Sequence, residues 1–121
     1  MNTKTQNVNL LLVDDEPEFL ATVARALERR NINVLCATSG VDALRLANLH
    51  NFDLAVIDVK MPGMDGIELF HRLKETIPEL PVIILTGHGT IPQAFETGRE
   101  GVFDYLSKPC DVGLLVDKVQ A

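Results

Sequence analysis

Leu10-Leu11-Leu12-Val13-Asp14-Asp15 is an apolar run that stops at two adjacent carboxylates. A near-continuous run of this kind, without polar alternation, suits a parallel strand covered on both faces. Three further runs follow the same plan. Ala55-Val56-Ile57 leads into Asp58, Val82-Ile83-Ile84-Leu85 into Thr86, and Phe103-Asp104-Tyr105-Leu106-Ser107 into Lys108-Pro109. In an open α/β sheet, the residues at the carboxyl ends of parallel strands converge on one crevice. Asp14, Asp15, Asp58, Thr86 and Lys108 are therefore candidates for a single site of three carboxylates, a hydroxyl and an ammonium.

Segments of helical period lie between the runs. Pro17 suits a first helical turn, and Phe19, Leu20, Val23, Ala24 and Leu27 form an apolar stripe, which predicts a helix from Pro17 to Arg30. Ile32 to Ala37 reads as a second strand. Ser39, with Asp42 three residues on, has the form of a capping box opening a helix that ends at Asn51. Met61 to Asp65 is turn-rich, and Asp65 can cap a helix carrying Ile67, Leu69, Phe70 and Leu73. A fourth helix is expected from Thr90, weakened by Gly98 and Gly101, and a fifth from Asp111 through Leu114, Leu115 and Val119. Five strand–helix repeats predict a three-layer α/β sandwich around a parallel sheet. Residues 1–7 are expected to be a flexible tail and residues 8–121 the folded domain.

The chain's 121 residues suffice for one domain and not for two ordinary ones. With 46% hydrophobic and 23% charged residues, the composition is that of a globular protein, and no apolar stretch approaches the roughly 20 residues of a membrane-spanning helix. Met1 to Asn7 is polar and lacks the core of a signal peptide, so a cytoplasmic location is expected. A formal charge of −6 argues against direct nucleic-acid binding, which requires a basic surface. Cys36 and Cys110 have no paired spacing; no disulfide is expected, and Cys36, inside a strand-like run, reads as a small buried hydrophobe. His50, His71 and His88 share no metal-ligand spacing.

Carboxylate oxygens suit a hard divalent cation, so Asp14, Asp15 and Asp58 are candidate Mg²⁺ ligands. Three such groups repel one another by roughly 4 kcal/mol per pair at an effective dielectric near 20, and Mg²⁺ with Lys108 would compensate. A carboxylate can also act as a nucleophile and form an aspartyl phosphate. Asp58, alone after the central run, is placed for that role, with Thr86 and Lys108 holding phosphoryl oxygens. Each residue also has a plainer reading. Asp15, just before Glu16-Pro17, could cap the first helix, Thr86 could be an ordinary strand-end hydroxyl, and Tyr105 a half-buried aromatic.

Taken together in this order, Asp14-Asp15, the segment Asp58-Val59-Lys60-Met61-Pro62-Gly63-Met64-Asp65-Gly66, Thr86-Gly87, Tyr105 and Lys108-Pro109 closely resemble the receiver domains of two-component response regulators. The resemblance implies a flavodoxin-like sheet of order 2-1-3-4-5 with five helices. It implies Asp58 as phosphoacceptor, a histidine kinase or phosphotransfer domain as donor, and Mg²⁺ held by Asp15, Asp58 and the Lys60 backbone carbonyl, with Asp14 acting through water. It further implies a switch in which Thr86 turns toward the phosphoryl group and Tyr105 swings inward. The fourth helix, fifth strand and fifth helix would then change as an output surface for a partner, an attached domain or a homodimer. In such domains the bond matching Lys108-Pro109 is usually cis. Thr86-Gly87-His88-Gly89 resembles receivers joined to transcriptional activators or hybrid kinases more than single-domain motility regulators. Lys60 and His88 flank the path of an attacking water and are expected to tune the phosphoryl lifetime.

Two other functions use the same parts. A small Mg²⁺-dependent phosphatase with an aspartyl nucleophile is disfavoured because Lys60 stands where such enzymes place a second acid. An unphosphorylated interaction module would keep the fold without the chemistry.

Overall fold

The computed structural model describes residues 8–59, 63–87, 102–108 and 112–120; for Thr86, Tyr105 and Lys108 it describes the backbone only. Five parallel strands form one sheet in the order β2-β1-β3-β4-β5. They are β1 (Val8–Val13), β2 (Ile32–Ala37), β3 (Leu54–Asp58), β4 (Val82–Gly87) and β5 (Val102–Lys108). Between them stand α1 (Pro17–Glu28), α2 (Gly40–Leu49) and α3 (Gly66–Thr76), and a last helix spans Val112–Gln120. The sequence-based fold holds, including the strand order. The expected helix from Thr90, the Lys108-Pro109 bond and residues 1–7 lie outside the described residues.

Continuous apolar runs make sense because each strand feeds two cores. Leu10 and Leu12 of β1 pack with Leu20, Val23 and Leu27 of α1 and Leu115 of the last helix. Leu11 and Val13 face the other way, against Ala43 and Ala47 of α2 and Leu69, Phe70 and Leu73 of α3. Successive strand residues point to opposite faces, so a strand sandwiched between helix layers must be apolar at every position. β3 shows the result: all of Leu54–Asp58 is buried.

The helix boundaries follow their caps. Ser39 Oγ accepts the Asp42 backbone N–H at 3.1 Å, and Asp65 Oδ1 accepts that of Glu68 at 2.9 Å. Each satisfies an otherwise orphaned amide of a first helical turn. The first helix is shorter than its sequence reading. It ends at Glu28, because Arg30 and Asn31 donate back to Leu27 and Glu28 in a tightened turn and Asn31 adopts φ 65°, which a helix cannot continue through. α2 ends at Leu49 rather than Asn51, because His50 is already extended.

Cys36 corrects a second expectation: it is exposed, not buried. β2 is an edge strand, and only its two ends, Ile32 and Ala37, are buried. Among the described residues, no strand pairs with it on its outer side.

Candidate functional site

The site begins with register. Val13 of β1 pairs with Ile57 of β3, so the residues that follow, Asp14 and Asp58, emerge side by side at the carboxyl edge of the two central strands. Both are buried, Asp14 at 0% and Asp58 at 4% relative exposure, and these are the buried charged side chains among the described residues. Asp15 is exposed. Each of the three offers a carboxylate oxygen within 4.8 Å of the others.

Local structure explains why these acids tolerate that position. Asp14 Oδ1 accepts the Glu16 backbone N–H at 2.9 Å, closing a short turn that leads the chain into α1, and the Asp14 N–H donates to Ala37 O of β2. The N-cap of α1 is Glu16, without a side-chain cap, so the alternative reading of Asp15 as the helix cap does not hold. That leaves Asp15 at the mouth of the cluster, on the solvent side.

Asp58 is held by the turn that follows it. Its neighbour Val59 donates its N–H to Leu85 O of β4 at 3.0 Å and accepts that of Gly66 at 2.8 Å. Gly66, the first residue of α3, lies against the Asp58 carbonyl oxygen, and a Cβ there would also come within 2.6 Å of the Val59 α-carbon. Only glycine permits this approach of the helix start to the strand end. The trace of this approach in the sequence is a glycine directly after the Asp65 cap, where a better helix former would be expected.

The neighbouring strands bring in the remaining candidates at the backbone level. Asp58 pairs with Leu85, so Thr86 is the next residue along β4 beside the acidic edge. Thr86 pairs with Ser107 and Gly87 with Lys108, which sets Lys108 at the same edge one strand further out. Tyr105 pairs with Ile84, below that edge. Lys60 and His88 lie outside the described residues. His50 and His71 are exposed on α2's end and α3, away from the carboxylates.

An all-oxygen donor set, two members buried and all within 4.8 Å, fits a small hard cation far better than a soft one. At that separation two carboxylates repel by roughly 3 kcal/mol at an effective dielectric of 20, a cost a divalent cation converts into attraction.

Over residues 10–120 the sequence matches the family model of the response regulator receiver domain. The transcriptional regulatory protein GlrR of Escherichia coli K12 is 40% identical over 111 residues, covering 92% of this chain and 25% of GlrR. The heme response regulator HssR of Staphylococcus epidermidis is 36% identical over 114 residues, covering 94% of this chain and 50% of HssR. This chain thus spans a quarter to a half of those proteins. Among solved structures, a response regulator receiver domain protein from Clostridium thermocellum matches with a TM-score of 0.82 at 34% identity, covering 93% of this chain and 91% of that one.

Proposed function

The chain belongs to the response-regulator receiver domain family of two-component signalling, and from that premise we propose that Asp58 is its phosphoacceptor. The carrying observation is the convergence of Asp14, Asp15 and Asp58 carboxylate oxygens within 4.8 Å at the carboxyl edge of the central strands. Asp15 and Asp58, with the Lys60 backbone carbonyl, would hold Mg²⁺, and Asp14 would act through water. When bound, Mg²⁺ supplies charge neutralisation for the transferring phosphoryl group.

A carboxylate oxygen of Asp58 attacks the phosphorus of a phosphohistidine on a kinase or phosphotransfer domain. The new O–P bond forms as the N–P bond breaks, and the imidazole leaves and takes up a proton. Lys108 pairs with the transferred phosphoryl group and Thr86 hydrogen-bonds to it, roles supported by their backbone positions at the carboxyl ends of adjacent strands. A two-state surface formed by the segment after β4, by β5 and by the last helix then shifts, with Tyr105 following Thr86. Dephosphorylation by water would be slow, tuned by Lys60 and His88, which makes the domain a signalling element rather than an enzyme.

Likeness to longer transcriptional regulatory proteins supports an output domain or partner regulated through that surface, with dimerisation on phosphorylation as one route. The acidic balance, −6 overall, supports leaving any nucleic-acid contact to the output portion. No described helix is long and apolar enough to cross a membrane, which agrees with a cytoplasmic site of action.

The deciding experiment is intact-protein mass after incubation with acetyl phosphate, with and without Mg²⁺, on wild type and Asp58→Asn. A Mg²⁺-dependent gain of one phosphoryl group, absent from the variant, carries the reading. A folded wild type that gains nothing would shift it to an unphosphorylated interaction module.

A further inference from the structure

The turn after Asp58 is fixed at two points, and only one of them belongs to its own strand and helix. At Gly66 the turn presses on the Asp58–Val59 peptide. At Met64 it reaches a different element: a Cβ built on Gly40, the first residue of α2, would lie 2.7 Å from Met64 Sδ and 3.0 Å from Met64 Cβ and Cγ. Side-chain carbons do not approach so closely, so Met64 is seated over the bare α-carbon of Gly40. Its thioether also packs on the core between the sheet, α2 and α3. Gly63, with φ 77°, turns the chain into this seat.

We propose that Gly40 and Met64 act as socket and plug that hold the Gly63–Gly66 turn down on the Asp58 strand end, making Met64 a positioning residue for the phosphoacceptor. This deepens, and rests on, the reading of Asp58 as phosphoacceptor. The chain of contact is continuous. Met64 seats in α2, Gly66 two residues later bears on the Asp58 carbonyl oxygen, and Asp58 contributes one of the three clustered carboxylates. A displacement of the order of 1 Å at a reacting or coordinating group is enough to cost a large factor in rate or binding. Methionine suits the plug because its unbranched side chain fills an irregular gap.

Gly40→Ala is the informative variant, because alanine is otherwise the best helix former and would be expected to strengthen α2. Its added methyl would meet Met64 Sδ at 2.7 Å and Cβ and Cγ at 3.0 Å, so Met64 must shift in its seat. Three readouts are taken on Gly40→Ala, Met64→Ala, Met64→Leu and the Gly40→Ala/Met64→Ala double variant. They are Mg²⁺ affinity by calorimetry with the metal alone, hydrogen exchange of the Gly66 amide that donates to Val59 O, and the rate of phosphorylation by acetyl phosphate. Melting temperatures establish that all are folded.

The expected result for Gly40→Ala is roughly three- to tenfold weaker Mg²⁺ binding and faster Gly66 exchange. Met64→Leu should stay near wild type, and the double variant should lose less than the product of the two single losses, since contacting residues are non-additive. Unchanged Mg²⁺ affinity and Gly66 exchange in Gly40→Ala and Met64→Ala, or losses that simply multiply in the double variant, would overturn the socket. Phosphorylation of the wild type judges the Asp58 reading independently: if it fails while Gly66 exchange still responds to Gly40→Ala, the mechanical coupling stands and the phosphoacceptor reading falls.

Discussion

Asp14 and Asp58 stand side by side at the ends of adjacent parallel strands, both buried, with carboxylate oxygens within 4.8 Å. Proteins seldom bury two acids together, since each loses hydration and repels the other. The arrangement suits a site for a divalent cation, which would relieve that repulsion.

Mg²⁺ should stabilise the wild type by linkage, because the clustered carboxylates exist only in the folded chain. At a free concentration ten times Kd the gain is about 1.4 kcal/mol. Chemical denaturation with and without Mg²⁺ measures it. Asp15→Ala, which removes the exposed member of the cluster and disturbs no buried packing, should reduce the gain by more than half. An equal gain in the variant would mean that Asp15 is not a ligand.

Asp58→Asn should lose phosphorylation entirely and lose most of the Mg²⁺ effect. It should also unfold at higher denaturant than wild type in metal-free buffer, by on the order of 1 kcal/mol, because one of two mutually repelling buried charges has gone. A metal-free stability below that of wild type would show that the Asp58 charge is better compensated in the fold than repulsion allows.

Gly66→Ala puts a methyl into the Asp58–Val59 peptide, where backbone rather than a flexible side chain must give way. Overpacking of this kind costs about 1–3 kcal/mol. Because the strain falls on the Asp58 strand end, phosphorylation by acetyl phosphate should fall at least tenfold even at temperatures where the variant is fully folded. Retained wild-type phosphorylation would detach the Gly66 contact from the chemistry.

How much of this was readable from the residues follows from what each depended on. The parallel sheet and the convergence of Asp14, Asp15 and Asp58 were legible because continuous apolar runs ending in polar residues constrain both sheet type and strand polarity, whereas the strand order came from the resemblance to receiver domains alone. The caps at Ser39 and Asp65 were legible because capping is local. Helix α1 was read too long because Arg29 and Arg30 favour helix, and only the left-handed Asn31 shows where it stops. Cys36 was misjudged because burial of an edge strand depends on what flanks it, which no local pattern reports. A glycine directly after the Asp65 cap hints at a close approach, but what Gly66 and Gly40 come up against was not legible, for the same reason: a glycine in a sequence does not say what occupies the space its side chain leaves.

Cap loss should be separable from site chemistry at α3. Asp65 is exposed and its carboxylate serves the Glu68 amide, so Asp65→Ala should cost about 1 kcal/mol of stability and Asp65→Ser should recover most of it. Urea denaturation of the three proteins reads the effect. A loss that Asp65→Ser does not recover would point to a role for the acid beyond capping.

Cys36 gives a test of local electrostatics away from the site. It is solvent-exposed as a residue, yet partial burial of the thiol, and then the nearby Glu28 carboxylate, push its pKa above the usual thiol value. Alkylation proceeds through the thiolate, so at a fixed pH near 8 a raised pKa means a smaller reactive fraction and a slower reaction. Cys36 should therefore react with iodoacetamide more slowly than a free model thiol, and its rate-versus-pH curve should be displaced to higher pH. Glu28→Gln removes the lesser of the two causes, so it should shift the curve back part of the way and raise the rate at pH 8 by a small factor. The same upward shift carries a stability sign. The unfolded thiol ionises first as pH rises, so the contribution of Cys36 is neutral below its unfolded pKa and turns destabilising above it. A Cys36→Ala variant should lose that alkaline decline, and an unchanged decline would assign it to other groups.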